Sequence, residues 1–314
     1  MAIRVAFLGN DPWSVPALDA LAGEPEIDLA LIVTNPPKPA GRSGAPRSTS
    51  VADAARRLGA TLHESDGVNV GSGFAALHGA SPDVLVVVAY GQLLTRDVLE
   101  IAPLGAVNVH FSLLPRWRGA APVQHAILAG DDVTGVSVMR MDGGLDTGPI
   151  LGELMDPVRP EDDAGALGAR LARLGGMLLV GVVRQLAAGG LPARPQDEGK
   201  ATVAPKLGAD ERALDWGAPA VDVVRRVRAL APEPGATTTF RGEPLKVLSA
   251  AVAGDATEGS SRRGEVVAAD ARGVAIAAGD GAVRLLEVAP AGRKRMTAGD
   301  WARGARFEPH ERLS

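Results

Sequence analysis

The strongest structural signal in the sequence is a run of five consecutive apolar residues, Val84–Val88. A run without polar alternation is typical of a strand that is covered on both faces, as in a parallel sheet. Shorter apolar runs at residues 3–8, 29–33 and 106–109 alternate with segments of helical character. This alternation predicts an α/β fold, a doubly wound and mainly parallel sheet with helices on both faces. Ligands of such sheets bind beyond the carboxyl ends of the strands.

The character of the sequence changes in its second half. Residues 164–188 carry Leu and Val at helical spacing, with an interruption expected at Gly175-Gly176, and a turn-rich stretch follows. One further helix is predicted at 220–230. Short β-like runs separated by turn residues then predict a small barrel or sandwich. They lie at 237–240, 245–248, 264–268, 274–277 and 283–288. We therefore predict an N-terminal domain at 1–190, a linker at 191–206 and a C-terminal domain at 207–314.

Composition excludes several classes of site. The chain has no cysteine, which excludes disulfides, thiolate zinc sites, iron–sulfur clusters and cysteine nucleophiles. No stretch of about 18 uninterrupted apolar residues occurs, so we expect no membrane span. The first apolar run is interpreted as a buried strand and not a leader, which favours a cytoplasmic protein. The net charge is −4, and residues 207–314 carry only +1, so charge alone does not predict an RNA partner.

Several catalytic motifs are missing. Residues 9–14 follow the first strand but lack the glycines of a dinucleotide-binding loop, so we interpret them as a strand-to-helix turn. The sequence contains no His-Glu-x-x-His pair, no Gly-x-Ser-x-Gly elbow and no P-loop. The loop at residues 35–50, rich in Pro, Gly and Arg, is either functional or a plain surface excursion.

The segment from Asn108 to Pro115 is the strongest candidate for chemistry. Residues two apart on a strand face the same side, so Asn108 and His110 should point into one crevice. The Asn amide is a donor that does not ionise, and His exchanges protons near neutral pH. Such a pair suits a carbonyl oxygen that gains negative charge. A purely structural role for a single histidine at a strand end is the alternative.

A glycine-rich loop provides two carboxylates. Asp142 and Asp146 lie in the stretch Met-Asp-Gly-Gly-Leu-Asp-Thr-Gly. Asp146 could orient His110 and support its charged form, or order a water that relays a proton. The alternative is that both aspartates only stabilise the turn, as Asp commonly does.

Three segments taken together resemble the folate-dependent formyltransferases. They are Asn108-x-His110-x-Ser112-Leu113-Leu114-Pro115, then Arg-Trp-Arg-Gly-Ala-Ala-Pro at 116–122, then Gly-Leu-Asp-Thr-Gly at 144–148. The second segment, the loop at 39–42 and the run at 201–207 are similar to the members that formylate a methionyl-tRNA. The resemblance spans almost the whole chain. It implies a catalytic domain that binds 10-formyltetrahydrofolate and a C-terminal, OB-like barrel that helps to hold the initiator methionyl-tRNA.

The resemblance also implies roles for individual residues. The catalytic positions are occupied by Asn108, His110 and Asp146. Folate binding is implied for two segments and for one loop residue, namely Ser112, Leu113, Leu114 and Pro115, then Gln92, Leu93 and Leu94, and finally Asp142. Contact with tRNA is implied for Arg42 and Lys206. No metal is required, and a monomer is expected.

The chain departs from the family pattern at two places. Ser43-Gly44-Ala45 stands where Lys-Lys is common, and Glu233 stands where the family has Trp. Each lost phosphate contact should make the salt dependence of tRNA binding shallower.

Two other functions stay open at this point. One is a related formyltransferase or hydrolase that acts on a small amine, a nucleotide sugar or water. The other is a non-catalytic RNA-binding protein that retains an ancestral catalytic domain.

Overall fold

The computed structural model describes residues 2–40, 44–253, 262–308 and 310–314. The chain forms two compact units. The first consists of Met1–Pro122, Val133–Pro157 and Gly168–Pro205, and the second of Val123–Asp132, Val158–Leu167 and Lys206–Ser314.

The helices and strands follow one another along the chain in two blocks. The first block contains β1 (Ile3–Gly9), α1 (Val15–Ala22), β2 (Ile27–Thr34), β3 (Lys38–Ala40), β4 (Ala45–Arg47), α2 (Ser50–Leu58), β5 (Leu62–Glu64), α3 (Gly71–Ala80), β6 (Val84–Val88), α4 (Arg96–Leu99), β7 (Ala106–His110), α5 (Pro122–Ala129), β8 (Val133–Arg140), β9 (Ile150–Pro157) and α6 (Ala164–Ala187). The second contains α7 (Ala220–Leu230), β10 (Ala236–Phe240), β11 (Glu243–Val252), β12 (Val266–Asp270), β13 (Gly273–Ala277), β14 (Ala282–Pro290), β15 (Met296–Thr297) and α8 (Ala298–Ala305).

The first unit is built on a seven-stranded sheet of order β5-β2-β1-β6-β7-β8-β9. The five strands from β5 to β7 are parallel, which confirms the predicted mainly parallel sheet. The last two strands, β8 and β9, are antiparallel to their neighbours. All five residues of β6 are buried, as expected for a strand at the centre of a covered sheet.

One face of β7 leads from the core to the candidate site. Leu85 of β6 lies beside Ala106, and Val87 lies beside Asn108. Leu85, Val87 and Ala106 belong to one buried apolar cluster. Because side chains two apart share a face, Asn108 and His110 continue the row that begins with Ala106. The strand thus places two polar groups directly after a packed apolar segment.

The interruption expected at Gly175-Gly176 is wrong, because α6 is continuous over 24 residues. Both glycines instead permit close packing. A Cβ on Gly175 would lie 2.7 Å from Cγ1 of Val109, and one on Gly176 would lie 2.8 Å from the carbonyl oxygen of Pro16. By length and composition α6 could cross a membrane, but 56% of its most apolar stretch is buried inside the protein.

Part of the loop at 35–50 is an ordered hairpin. Strands β3 and β4 pair antiparallel, with Lys38 opposite Arg47 and Ala40 opposite Ala45. Arg42, predicted to contact tRNA, lies outside the described residues.

The second unit contains the predicted small barrel. Its antiparallel strands follow the order β10-β11-β14-β13-β12, and β15 pairs with β14. The C-terminal residues close the ring, since Leu313 bridges to Phe240 of β10 and Arg312 bridges to Glu265 beside β12. The interior is filled by buried side chains that include Trp216, Val247 and Ile276. The OB-like label implied by the resemblance stays a prediction.

Candidate active site

His110 lies at the end of β7 and is 5% exposed. Its Nε2 lies 2.8 Å from the carbonyl oxygen of Trp117, and its Nδ1 lies 3.6 Å from Oδ2 of Asp146. A carbonyl oxygen only accepts hydrogen bonds, so Nε2 carries a proton and donates it to Trp117. Nδ1 therefore remains as the ring nitrogen that faces the carboxylate. The structure thus brings together two of the three predicted catalytic residues, which are 36 positions apart in the sequence.

Asn108 is half-buried on the same face of β7. Among the described residues, no group forms a hydrogen bond with its side-chain amide. A half-buried amide without a protein partner retains both donors and its acceptor for a ligand. Asn108 and His110 therefore present two polar groups side by side.

Asp146 is held in an unusual backbone conformation. Its φ is +55°, in the left-handed region that few residues other than glycine adopt. Its carboxylate Oδ2 accepts a hydrogen bond of 2.8 Å from the backbone N–H of Gly119. Close packing fixes the loop nearby, because a Cβ on Gly148 would lie 1.8 Å from the carbonyl oxygen of Arg140. The carboxylate, with a side chain 11% exposed, is thus aimed at His110 by the surrounding fold.

The stretch predicted as a linker contacts this site within the first unit. Gln196 donates to the carbonyl oxygens of Asp146 and Gly148 at 2.8 and 2.7 Å. Oγ1 of Thr202 accepts from the backbone N–H of Trp117 at 2.9 Å. Arg118 forms an isolated bridge with Val203 in a parallel sense. Residues 196–203 are therefore bound to both loops that surround His110.

The Ser112–Pro115 segment is tied to the sheet. Ser112 is fully buried, and its hydroxyl donates to the carbonyl oxygen of Arg116 at 2.6 Å. Ser137 of β8 accepts from the N–H of Leu114 and donates to the carbonyl oxygen of Ser112. Leu114 is also buried, and Leu113 lies against Gly135. Through these contacts Ser112 and Leu114 support the loop, and their contact with folate stays a prediction.

The residues of the loop after β6 lie partly in the core and partly at the surface. Leu94 is 8% exposed and packs with the cluster that contains Tyr90, whereas Leu93 is 67% exposed. Gln92 donates to the carbonyl oxygen of Asp66 at 2.7 Å and to Oδ1 of Asn35 at 3.3 Å. Of these three residues, Leu93 is the most exposed.

Tyr90 brings an unusual polar group into this cluster. Its hydroxyl is buried and has no hydrogen-bond partner in the described part of the chain, and burial raises the pKa of Tyr90 to about 12.

Asp142 and Lys206 are both exposed. Oδ1 of Asp142 accepts from the N–H of Gly144 at 3.0 Å and from the hydroxyl of Thr147 at 2.7 Å, so the carboxylate shapes the loop. Leu145 in the same loop is 57% exposed. Lys206 begins the longest segment of the second unit. Within the described part of the chain, no three His, Asp or Glu side chains gather as a metal site would require.

Sequence reasoning missed the partners of the catalytic pair. Trp117 and Gly119 act through backbone groups, and Gln196 lies in the stretch predicted as a linker. The Arg-Trp-Arg-Gly motif marks Trp117 and Gly119 as unusual. No local feature of the sequence around Gln196 indicates its contacts.

Two family models match the chain. The model described as formyl transferase matches residues 3–183, and the formyl transferase C-terminal domain matches residues 206–306. Full-length relatives include the methionyl-tRNA formyltransferases of Halorhodospira halophila and Streptomyces coelicolor. Each is 42% identical over 311 residues, which is 99% of this chain and 99% of the relative.

Solved structures share the fold. HypX from Aquifex aeolicus in complex with tetrahydrofolic acid has a TM-score of 0.66 at 16% identity, covering 99% of this chain and 49% of HypX. An N-formyltransferase from Helicobacter canadensis has a TM-score of 0.64 at 13% identity, covering 90% of this chain and 98% of its own. The motifs, the paired His110 and Asp146, the two family models and the full-length relatives agree. The chain therefore belongs to the methionyl-tRNA formyltransferase family.

Proposed function

We propose that this chain transfers the formyl group of 10-formyltetrahydrofolate to the free α-amino group of methionyl-initiator tRNA. The observation that carries the proposal is the placement of the His110 ring between the Trp117 carbonyl oxygen and the Asp146 carboxylate, next to the amide of Asn108, which bonds to none of the residues that the structure describes. Family membership supplies the substrates, and this arrangement supplies the chemistry. The relatives named above carry the same activity in their names.

The chemistry is an attack of an amine on a formyl carbon. The folate supplies an activated formyl group on N10, and the amino group of the methionyl ester attacks it in the neutral form. The carbonyl oxygen then gains negative charge. Asn108 donates an amide N–H to this oxygen. The second donor is the Nδ1–H group of protonated His110, because Nε2 donates to Trp117 and the 3.6 Å between Nδ1 and Oδ2 of Asp146 is too long for a hydrogen bond. One such donor contributes a factor of about 10²–10³ to kcat in other acyl-transfer enzymes.

Asp146 controls the proton on His110. Because Nε2 is committed to Trp117, a second ring proton resides on Nδ1, where the carboxylate can support it. A separation of 3.6 Å is longer than a hydrogen bond, so the carboxylate supports the charge of the ring while the Nδ1 proton stays available to the formyl oxygen. The amine must lose a proton and N10 must gain one as the bond to the formyl carbon breaks. His110 and Asp146 together assist this movement, and no covalent enzyme intermediate is needed.

Exposed apolar and polar groups on two loops fit a pterin. Leu93 and Leu145 are exposed leucines on the loops that follow β6 and β8, and apolar walls with a few polar groups are typical of such sites. The carboxylate of Asp142 adds an acceptor for ring N–H groups. Arg42 and Lys206 are proposed to bind phosphates of the tRNA. We place the enzyme in the cytoplasm, where translation occurs, as a monomer.

The test is a formylation assay with defined acceptors. The protein is incubated with 10-formyltetrahydrofolate and methionyl-tRNA, and blocking of the α-amino group is measured after the ester is hydrolysed. Free methionine, an amino-sugar nucleotide and buffer alone are run in parallel. The proposal expects transfer to methionyl-tRNA at a rate at least a hundredfold above the other acceptors. Faster transfer to the sugar nucleotide, or release of formate without an acceptor, would favour the alternative enzyme classes.

A further inference from the structure

We propose that Gln196 is a positioning residue for formyl transfer, because it holds the backbone of Asp146 so that the carboxylate faces His110. The inference deepens the proposed function and rests on it. It concerns a residue outside the motifs that identify the family. The contacts that carry it all lie within the first unit.

Gln196 uses the full hydrogen-bonding capacity of its amide. The Nε2 group donates to the carbonyl oxygens of Asp146 and Gly148, at 2.8 and 2.7 Å. The Oε1 atom accepts from Nε and Nη2 of Arg118, at 3.1 and 2.8 Å. Carbonyl oxygens only accept and a guanidinium only donates, so the orientation of the amide is unambiguous. Gln196 thereby joins the loop of Asp146 to the loop of Arg118.

Arg118 makes this connection rigid. Its side chain is 9% exposed and forms a bidentate pair with Glu198, at 2.8 and 2.7 Å. The hydrogen bonds that Arg118 donates to Glu198 raise the pKa of Arg118 and lower the pKa of Glu198. Both groups are therefore charged at neutral pH. The backbone of Arg118 also pairs with Thr202 and Ala204, at 2.8 and 2.7 Å. The side chain and the backbone of Arg118 thus both anchor the loop that holds Gln196 in place.

The same loop carries both direct partners of the catalytic pair. Trp117 accepts from His110 through its carbonyl oxygen, and Gly119 donates to Asp146 through its N–H. Arg118 stands between them in the sequence. Gln196 therefore ties Asp146 to the loop that fixes His110, and it sets the distance between the two catalytic side chains.

Asp146 needs such support. A left-handed backbone costs more than a right-handed one even for Asp, so the surrounding hydrogen bonds help to maintain it. No direct hydrogen bond spans the 3.6 Å between Nδ1 of His110 and Oδ2 of Asp146. Gln196 holds this part of the loop by two hydrogen bonds, one to the carbonyl oxygen of Asp146 and one to that of Gly148. Loss of these bonds would let the carboxylate move away from His110.

The first test is Gln196→Leu, which keeps the size of the side chain and removes all four bonds. A displacement of about 1 Å at an active site can cost about a hundredfold in rate. We expect kcat to fall about ten- to a hundredfold, while KM for the folate and for the tRNA each change less than about threefold. Gln185→Leu is the matched control, since Gln185 is an exposed glutamine on α6. It should retain wild-type kcat.

The second test separates positioning from a general loss of structure. Gln196→Glu keeps an oxygen for Arg118 but replaces both N–H donors by an oxygen that faces the carbonyl oxygens of Asp146 and Gly148, so a thermal melt is recorded and its kinetics are measured well below the melting temperature of the variant. Its kcat should fall as in Gln196→Leu. In an Asp146→Asn background, Gln196→Leu should add less than about threefold, because residues that act through one another are not additive.

Two results would overturn the inference. One is a kcat of Gln196→Leu or Gln196→Glu within about threefold of the wild type. The other is full additivity with Asp146→Asn. The proposed function fails separately, when the wild-type protein does not formylate methionyl-tRNA. The variants are then compared with the acceptor that the wild-type protein does use, so the role of Gln196 is decided in either case.

Discussion

Replacing Asp146 with Asn removes the charge of the carboxylate and keeps its structural role. The Asn amide has nearly the same shape as the carboxylate. Its oxygen can still accept the hydrogen bond from the N–H of Gly119, which is 2.8 Å long in the wild-type protein. The loop should therefore keep its conformation. What disappears is the negative charge that faces Nδ1 of His110. The variant thus tests whether that charge supports the protonated ring during transfer.

The distance and the burial set the size of the effect. Two unit charges 3.6 Å apart attract each other by about 5 kcal/mol at an effective dielectric constant of about 20. Both side chains are largely shielded from water, at 6% and 11% exposed, so screening by solvent is limited. Desolvation of the two groups offsets part of this attraction. A net loss of about 3–4 kcal/mol in transition-state stabilisation corresponds to a kcat reduced about 10²–10³-fold.

The assay is single-turnover formylation of methionyl-tRNA with enzyme in excess, together with a thermal melt of each variant. Asp53→Asn is the control for removal of a carboxylate, because Asp53 is an exposed residue on α2 whose ion pair with Arg56 should contribute little. A single-turnover rate for Asp146→Asn within about threefold of the wild type, with an unchanged melting temperature, would refute the role assigned to this charge.

Three further predictions follow from other residues. Asn108→Ala should lower kcat about 10²–10³-fold with little change in melting temperature, because its amide bonds to no described residue; steady-state kinetics and a thermal melt check this. Ser112→Ala should lower the free energy of unfolding by about 1–3 kcal/mol in urea titration, since it leaves the carbonyl oxygen of Arg116 without its buried donor. Tyr90 is the chain's single tyrosine, so tyrosinate absorbance should titrate near pH 12 in the folded protein and near pH 10 when unfolded. Because the pKa is raised, the contribution of the buried, neutral Tyr90 to stability is complete below about pH 10 and is lost as the pH rises toward 12. A titration midpoint near pH 10 in the folded protein would contradict the buried environment.

The sequence identified the elements whose signals are local. The run Val84–Val88 is a fully buried strand, and 220–230 is a helix with the predicted bounds. The shared face of Asn108 and His110 follows from the two-residue period of a strand. Side-chain periodicity and apolar runs are properties of a few neighbouring residues, so they can be read without the fold.

Gly175-Gly176 shows where local reasoning failed. Two adjacent glycines weaken an isolated helix, which is why an interruption was expected. In the folded chain they lie against Val109 and the backbone of Pro16, and the close packing keeps the helix continuous. The benefit comes from partners far away in the sequence, so no local pattern could reveal it.

Local patterns in the sequence establish the α/β framework, the strand that carries Asn108 and His110, and the motifs that place the chain in its family. The groups that surround these residues are set by long-range packing. Asp146 reaches His110 across 36 positions, Gln196 reaches Asp146 across 50, and residues 312–313 close the barrel against β10 and the start of β12. The contacts of Gln196 and of residues 312–313 depend on backbone carbonyl and N–H groups, which all residues other than proline possess, so no sequence pattern distinguishes them. Their partners are chosen when the whole chain packs, because only then are distant segments brought within hydrogen-bonding distance.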